Sequence, residues 1–210
     1  MTGPTALLDD GSVGFEATRR RLSPRQVEVV AQLVRATEEE VEIVGYAGLT
    51  VRSVARRAGV APATAYNYFS SKDHLLAEVL WRGMQALPPV DTDRSRPVYD
   101  RVADAVRAMV LLTTESPALV DASNQALLSN GADVKHLRDR IGGEIHHRLA
   151  SAVGPDIDPM VVRVLQTSFS GALLAAGMGH LSSMDIPEFV AGAAVLMLGG
   201  TEDDQGSRTS

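Results

Sequence analysis

Hydrogen-bonding and basic side chains are concentrated between Thr50 and Lys72, inside a stretch from Ile43 that contains no acidic residue. Hydroxyl, phenol and amide groups of this kind pair with phosphate oxygens and base edges, and an acid-free basic surface suits a polyanion. The side chains are Arg52, Arg56, Arg57, Thr64, Tyr66, Asn67, Tyr68 and Lys72. The alternative is an ordinary packed corner with its aromatic side chains in the core, and we expect that environment for Phe69.

Two short helices and a glycine turn must position these groups. The apolar side chains before Gly59 follow the i, i+3, i+4, i+7 spacing of one helical face, and they are Val51, Val54, Ala55 and Ala58. Gly59 stands where a helix must end in a left-handed conformation. Pro62 suits the first turn of the next helix, because its missing N–H has no partner there in any case. The pattern predicts a helix-turn-helix whose second helix runs from Pro62 to about Phe69.

The run from Gly45 to Leu76 resembles the DNA-binding domain of the TetR family of transcriptional regulators. It reads GYAGLTVRSVARRAGVAPATAYNYFSSKDHLL, and the resemblance covers about the first 85 residues. The matching features are the Thr before helix two, the A-G-V turn, the T-x-Y-x-Y-F helix and the S-K-D-x-L-L opening of helix four. Ala61 replaces the family's usual Ser N-cap, at a typical cost of ~1 kcal/mol. Ala63 replaces a usual Gly, and its Cβ would hold the backbone further from the groove.

The resemblance also implies which residues contact DNA. It implies that base edges are contacted by Pro62, Ala63, Tyr66 and Asn67. It implies that phosphates are contacted by Thr50, Arg52, Thr64, Tyr68 and Lys72. We expect Asn67 to read sequence, because its amide can pair both ways with an adenine edge. Lys72 falls in the first turn of helix four, where the helix dipole disfavours a cation. A phosphate bound at that helix N-terminus would explain it.

Composition separates the chain into two parts. The 210 residues are 45% apolar and 4% aromatic, with a net charge of −6. Residues 1–87 hold 10 basic and 10 acidic side chains, whereas residues 88–210 hold 10 and 16, so the excess acid lies beyond the basic stretch. That acid would repel DNA from the wrong face. No cysteine is present, which excludes disulfides, cysteine zinc sites and thiol chemistry.

The expected fold is all-α, with about nine helices in two domains. A flexible basic N-terminal arm that contains Arg19 to Arg21 is predicted over 1–22, and a disordered tail is predicted over 201–210. The DNA-binding domain, over 23–87, should consist of three helices plus connecting helix four. A ligand-binding and dimerisation domain should follow over 97–200. The proline-rich stretch from Pro88 to Pro97 links the domains.

Helix boundaries follow from caps, prolines and apolar periodicity. Helix one is predicted from Pro24 to Val44 after a Ser23 cap, with Glu38, Glu39, Glu40 and Glu42 mostly facing solvent. Ser70 is the predicted cap of helix four, and Asp185 with Glu188 a predicted capping box. The later helices are predicted over Pro97–Thr114, Pro117–Ser129, Ala132–Val153, Pro159–Ser182 and Pro187–Leu198.

In the resembled family, helices five to eight enclose a mostly apolar effector pocket, and the last two helices form a four-helix bundle with a second subunit. The candidate pocket residues are Trp81, Met109, Val110, Asn124, Leu127, Leu128, Gln166, Phe169 and Leu173, although periodicity does not separate them from ordinary core. The candidate dimer interface consists of the small residues Ser168, Gly171, Ala172, Ala175, Gly179, Ala191 and Ala194, which allow close approach of helices. Close packing within one subunit is the alternative.

Other kinds of function find little support. The five histidines lack metal-ligand spacing, and no nucleophile elbow, phosphate loop or dinucleotide fingerprint occurs. We therefore expect no cofactor, no metal and no enzymatic activity. The uncharged window from Val164 to Met184 is too polar for a lipid-facing span, so we expect a buried helix, no membrane and a cytoplasmic location.

Two functions remain. The first is a DNA-binding transcriptional regulator, a repressor as is common in the family, that binds a palindromic operator as a homodimer and is released by a small, mostly apolar effector. The alternative is a DNA-binding adaptor whose C-terminal domain only dimerises or binds a protein partner. An apolar cavity would favour the regulator, and a solid core with an exposed apolar patch would favour the adaptor.

Overall fold

The structure, a computed structural model, describes residues 23–114 and 116–206, except for the side chains at 113, 114, 117 and from 200 onwards. Within that part of the chain, nine α-helices and one short 3₁₀ helix are connected by loops, and there is no strand. The all-α prediction is confirmed. The predicted basic arm over 1–22 and residues 207–210 of the predicted tail lie outside the described residues.

Four helices form the N-terminal part, which we call the head. They are α1 (Pro24–Gly48), α2 (Val51–Arg57), α3 (Pro62–Tyr66) and α4 (Lys72–Ala86). Five helices and the 3₁₀ turn Ser183–Asp185 form the rest, which we call the body. These helices are α5 (Val98–Thr114), α6 (Pro117–Leu127), α7 (Ala132–Val153), α8 (Pro159–Gly177) and α9 (Ile186–Gly206). Helix α9 extends beyond Leu198, where the sequence pattern ended it.

Local sequence explains most of the boundaries in the head. Ser23 and Gln26 form a reciprocal capping box at the start of α1. The helix breaks at Gly45, whose φ of 63° leaves the helical region, so the regular part ends at Val44 as predicted. Gly59 has a φ of 67°, which confirms the left-handed turn between α2 and α3.

Two predicted caps differ from the structure. Ser71 rather than Ser70 caps α4, accepting a hydrogen bond from the His74 N–H at 3.0 Å. Asp185 lies inside the 3₁₀ turn, which Ser182 caps, and Glu188 instead pairs with Arg107 at 2.7 Å. Both errors arise because several polar residues in a row offer alternative caps of similar chemistry.

The core of the head includes one helix of the body. Helix α6 packs on α1 and α4, and its residues Leu119, Ala122 and Ala126 belong to the same buried cluster as Leu33 and Phe69 of the head. A second cluster lies among α5, α7, α8 and α9. The head is therefore completed by α6, although the linker separates the two in sequence.

Helix α8 is not the buried helix that the sequence predicted. Among the described helices, it is the one whose length and apolar composition would suffice for a membrane span, yet only 22% of that window is buried. One face holds the buried residues Val162, Leu165, Phe169 and Ala172. The opposite face exposes Met160, Val164, Leu174 and Met178.

Candidate nucleic-acid interface

Helix α3 presents the groups predicted to reach base edges. Pro62, Ala63, Tyr66 and Asn67 are all exposed, and Tyr66 has 51% of its surface accessible. Ala65, which is completely buried, anchors the helix from behind. Asn67 ends the helix as its C-cap, so its amide projects from the last turn. The geometry leaves these four residues accessible to a groove of DNA.

The missing cap at Ala61 is visible in the structure. Ala61 makes no side-chain hydrogen bond at the start of α3, whereas Thr50 accepts one from the Ser53 N–H at 2.9 Å at the start of α2. Free N–H groups at the start of a helix carry partial positive charge. The Thr64 N–H, which a Ser cap could engage, donates instead to the Ala61 carbonyl at 2.9 Å.

The predicted phosphate contacts have different surroundings. Thr50 and Arg52 are exposed at the start of α2, and Thr64 is half-buried. Tyr68 is half-buried and packs on the core of the head, so a phosphate contact would involve its hydroxyl while the ring stays in place. Each of these four side chains has some accessible surface.

Lys72 joins the end of α1 to the start of α4. Its ammonium donates to the Tyr46 carbonyl at 2.7 Å and lies 3.8 Å from the centroid of the Tyr46 ring. The Tyr46 hydroxyl in turn donates to the Asp73 carboxylate at 2.8 Å. These contacts explain a cation in the first turn of α4 without a bound phosphate. An ammonium has three N–H donors, so a phosphate contact remains compatible with the carbonyl bond.

The pKa of the Tyr46 phenol depends on its burial and on the Asp73 carboxylate. Removal of the phenol from water and its hydrogen bond to Asp73 together raise the pKa of Tyr46 to about 12. The phenol therefore stays protonated at neutral pH and keeps donating. The corner between α1 and α4 is fixed beside the candidate interface.

Arg57 lies on the exposed surface of α2 and is paired with acidic residues of α1. Its Nε donates to the Glu40 carboxylate at 2.6 Å, and its Nη1 lies 3.6 Å from Glu39. Glu40 was predicted to face solvent but is only 4% exposed. The Arg57 hydrogen bond outweighs burial and lowers the pKa of Glu40. Arg52, Arg56 and Arg57 of α2 are all exposed, and Arg57 is also held by these two glutamates.

The candidate pocket residues do not form one group. Met109, Val110 and Phe169 are buried in the core of the body, and Leu173 packs against that core. Leu127 is half-buried. Leu128, in contrast, is 74% exposed, which corrects the prediction that it faces the interior.

The polar candidates of the pocket also differ in their partners. The Gln166 amide donates to the Gly142 carbonyl at 2.9 Å and lies 3.3 Å from His146, so it ties α8 to α7. Asn124 is half-buried, and its amide nitrogen would lie 3.5 Å from a Cβ added at Gly177. Trp81, on α4, is half-buried beneath Arg140 of α7, at 4.1 Å from the guanidinium carbon to the ring centroid.

Three of the small residues predicted at a dimer interface are buried within the chain itself. Ala172, Ala191 and Ala194 lie in the core of the body, where their size lets α9 approach α5 and α8. The prediction is corrected for these three. Gly171 and Gly179 are exposed, and Ser168 and Ala175 are half-buried.

Sequence reasoning missed a set of exposed apolar side chains on α8, α9 and the turn between them. Leu196 is 80% exposed, and Phe189 is 53% exposed. The full set, which we call the apolar face, is Met160, Val164, Leu174, Met178, Met184, Phe189, Val195 and Leu196. Its signal was present in α8, because positions 160, 164, 171, 174 and 178 fall on one helical face.

The described residues contain no cluster of three or more histidine and acidic side chains arranged for a metal ion. What the head does contain is a helix-turn-helix with an exposed, acid-free second helix. The fold and this site define a helical DNA-binding regulator.

Comparison with known proteins also indicates a DNA-binding regulator. The profile of the tetR family of bacterial regulatory proteins matches residues 33–79. An uncharacterised HTH-type transcriptional regulator of Mycobacterium tuberculosis is 46% identical over 160 residues, which are 75% of each chain. The transcriptional repressor KstR of Mycolicibacterium smegmatis is 30% identical over 207 residues, covering 94% of this chain and 96% of that protein.

The structural comparison gives the same fold. A TetR transcriptional regulator from Rhodococcus sp. RHA1 superposes with a TM-score of 0.66 at 23% identity, over 84% of this chain and 98% of that chain. The chain belongs to the TetR family and is a DNA-binding transcriptional regulator.

Proposed function

We propose that the protein is a homodimeric repressor that binds a palindromic operator through α3 and is released by a small, mostly apolar effector. The observation that carries the proposal is the exposed group Pro62, Ala63, Tyr66 and Asn67 on an acid-free helix of a TetR-family head. The choice of a repressor rests on the likeness to KstR, which is named as a repressor. Such a protein acts in the cytoplasm, where the chromosome is.

The apolar face supports the homodimer. Its eight side chains are large and at least 40% exposed, and apolar surface of this kind on a single chain marks an interaction site. A second copy would cover the same face of its partner in an isologous contact. We propose that the interface is centred on Leu174, Met178, Phe189 and Leu196, with the exposed Gly171 letting the helices approach closely.

The route from effector to DNA also follows from packing. The candidate pocket residues Met109, Val110 and Phe169 lie in the core of the body, and the exposed apolar face would also suit the adaptor, so the effector part of this proposal rests on the family resemblance. Helix α6 borders the body and completes the head core through Leu119 and Ala122. An effector that favours a different position of α6 or α4 would shift the protein towards a form that does not fit the operator. We expect an aliphatic or acyl effector.

Selection from random duplexes with the full-length protein tests this function. We expect enrichment of an inverted repeat whose half-site centres lie about 10 base pairs apart or a multiple of that. Fatty acids and their coenzyme A thioesters are then tested for release of the selected duplex. A single unrepeated motif would contradict the dimeric mode of binding. If the protein selects such a repeat and none of these compounds releases it, the adaptor function is favoured over a regulator with an effector of this class.

A further inference from the structure

An open cleft of about 250 Å³ lies between α7 and the linker from Pro88 to Pro97. One wall is a single face of α7, with the spacing i, i+3, i+4 and i+7, and it consists of Glu144, His147, Arg148 and Ser151. The linker supplies the other wall, which consists of Pro89, Val90 and Thr92. None of these residues belongs to the candidate effector pocket. Pockets for drug-sized ligands begin at roughly 300 Å³, so this separate cleft suits a smaller molecule.

The linker wall of the cleft is held by hydrogen bonds. Asp91 accepts from the Asp93 N–H at 2.8 Å, and Asp93 accepts from the Ser95 N–H at 2.9 Å. Arg101 of α5 is only 5% exposed and donates to the Asp93 carbonyl at 3.0 Å and to the Ala152 carbonyl of α7 at 2.9 Å. The two walls are therefore fixed to each other, and a ligand would not have to order the linker in order to bind.

Arg148 places a buried cation in the wall of the cleft. The residue is only 6% exposed, and its Nη1 donates to the Pro88 carbonyl at 2.9 Å. Its Nη2 lies 3.4 Å from the Leu87 carbonyl, and its Nε donates to the Glu144 carboxylate at 2.9 Å. A guanidinium group has five N–H donors, so within the described part of the chain these contacts leave one donor on each terminal nitrogen. Those donors suit a carboxylate.

Glu144 places an anion beside that cation. Its side chain is 22% exposed, and a carboxylate has about four acceptor sites on its two oxygens, so it can accept from a ligand as well as from Arg148. A simple anion in the cleft would be repelled by Glu144, and a simple cation would be repelled by Arg148. A zwitterion presents one charge to each residue and is attracted by both.

The remaining groups favour a zwitterion with an aliphatic side chain. The hydroxyls of Thr92 and Ser151 can donate to a carboxylate. Pro89 and Val90 give the linker wall an apolar surface on which a side chain would lose contact with water.

We propose that the cleft is a binding site for a free aliphatic α-amino acid. Its carboxylate pairs with Arg148, and its ammonium pairs with Glu144. Its side chain packs on Pro89 and Val90. The site is distinct from the candidate effector pocket and depends neither on the proposed operator nor on an acyl effector.

Calorimetric titration of the full-length protein, without DNA, tests the class of ligand. L-Leucine is compared with isocaproate, which lacks the ammonium, and with isoamylamine, which lacks the carboxylate. We expect leucine to bind, and each of the other two to bind at least ~10-fold more weakly, because each loses one charge-assisted pair. The proposal is overturned if leucine does not bind at millimolar concentrations, or if either analogue binds as well as leucine does.

Two variants with a change of acid to amide test the place of binding. Glu144→Gln keeps an acceptor for Arg148 and removes the charge, so it should weaken leucine at least ~10-fold without weakening isocaproate. Asp139→Asn is the matched control, because Asp139 forms an i, i+4 ion pair with Lys135 on the same helix, at 2.7 Å and outside the cleft. It should leave leucine binding unchanged. Equal effects of the two variants would place the ligand elsewhere and overturn the site.

A third variant fills the cleft from the linker. Thr92 is exposed, so Thr92→Trp leaves the buried contacts of Arg148 in place and should abolish leucine binding. This variant decides if Glu144→Gln does not fold. Leucine should also slow amide exchange in residues 88–97 of the parent protein, and protection confined to other segments would contradict the site. These measurements use neither operator nor acyl effector, so their outcome is independent of the proposed function.

Discussion

Lys72 and Tyr46 hold the end of α1 against the start of α4 through a 2.7 Å hydrogen bond and a 3.8 Å cation–π contact. The lysine therefore has a structural partner before any DNA arrives. Two of its three donors remain available for a phosphate. These two contacts hold the Lys72 side chain in one conformation, so its ammonium has a fixed position.

Lys72→Ala should weaken binding to selected and random duplexes by the same factor. The substitution removes one phosphate contact, so the slope of log affinity against log salt should fall by about one. Titrations at several salt concentrations measure both quantities. Arg35→Ala, which removes an exposed cation paired with Glu28 on α1, is the matched control and should leave the slope unchanged. A larger loss on the selected duplex would assign Lys72 a role in base reading.

Asn67→Ala should reduce sequence preference more than overall affinity. Loss of a bidentate contact to a base costs roughly 1–3 kcal/mol of discrimination, while phosphate contacts persist on any duplex. Competition between the selected operator and its single-base variants measures the preference at each position. If Asn67→Ala lowers affinity for random and selected duplexes equally, the amide does not read a base.

The Tyr46 phenol should ionise well above the ordinary pKa of a tyrosine in the folded protein. Because its pKa is raised from 10.0 to about 12, its contribution to the free energy of unfolding is complete below pH 10 and is lost as the pH rises towards 12. Absorbance titration near 295 nm should show a late transition that Tyr46→Phe abolishes. If the transition that Tyr46→Phe removes lies near pH 10 instead, this prediction is wrong.

Glu40→Gln should destabilise the head by roughly 2 kcal/mol at pH 7, because it weakens a charge-assisted hydrogen bond to Arg57. The pKa of Glu40 is lowered from 4.5, chiefly by that arginine. Its stabilisation is therefore present above pH 4.5 and is lost as the pH falls through the lower folded-state value. Urea unfolding of parent and variant should converge in acid. Glu39→Gln, at the exposed and longer contact, should cost much less.

Leu196→Glu should dissociate the proposed dimer. A charge placed in the middle of an apolar interface loses its hydration without gaining a partner, so we expect at least a 100-fold weaker self-association by analytical ultracentrifugation. Leu128→Glu introduces the same charge at a leucine that is 74% exposed and outside the apolar face. That control should remain dimeric, and loss of the dimer in both variants would place the interface elsewhere.

The helix-turn-helix could be predicted from sequence because local chemistry determines it. Gly59, Pro62 and the apolar spacing around them predict the turn and the presence of both helices, although α3 ends at Tyr66 and not at about Phe69 as predicted. The same is true of the Ser23 cap, which the structure confirms. Local determinants were sufficient where one residue alone could supply the cap, as at Ser23, but not where neighbours compete, as at Ser70 and Ser71.

Long-range pairings were not predictable in the same way. A small residue on a helix suits a core and an interface equally, so Ala191 and Ala194 gave no indication of which they would join. Glu40 resembled its solvated neighbours, because its partner Arg57 is 17 positions away. The carbonyls that Arg101 and Arg148 bind are backbone groups, which carry no mark in the sequence.

The packing of α6 against the head gives the protein a cooperative unit that does not follow chain order. Leu119, Ala122 and Ala126 contribute to the core on which α3 rests, so a fragment ending at Leu87 would expose an uncovered apolar surface. Exchanging DNA specificity between relatives by grafting the head alone would leave that surface against a foreign helix. A chimera that includes α6 together with residues 23–87 keeps the native contact between α6 and the head. The boundary between the exchanged DNA-binding unit and the rest of the protein then lies inside the body rather than at the linker.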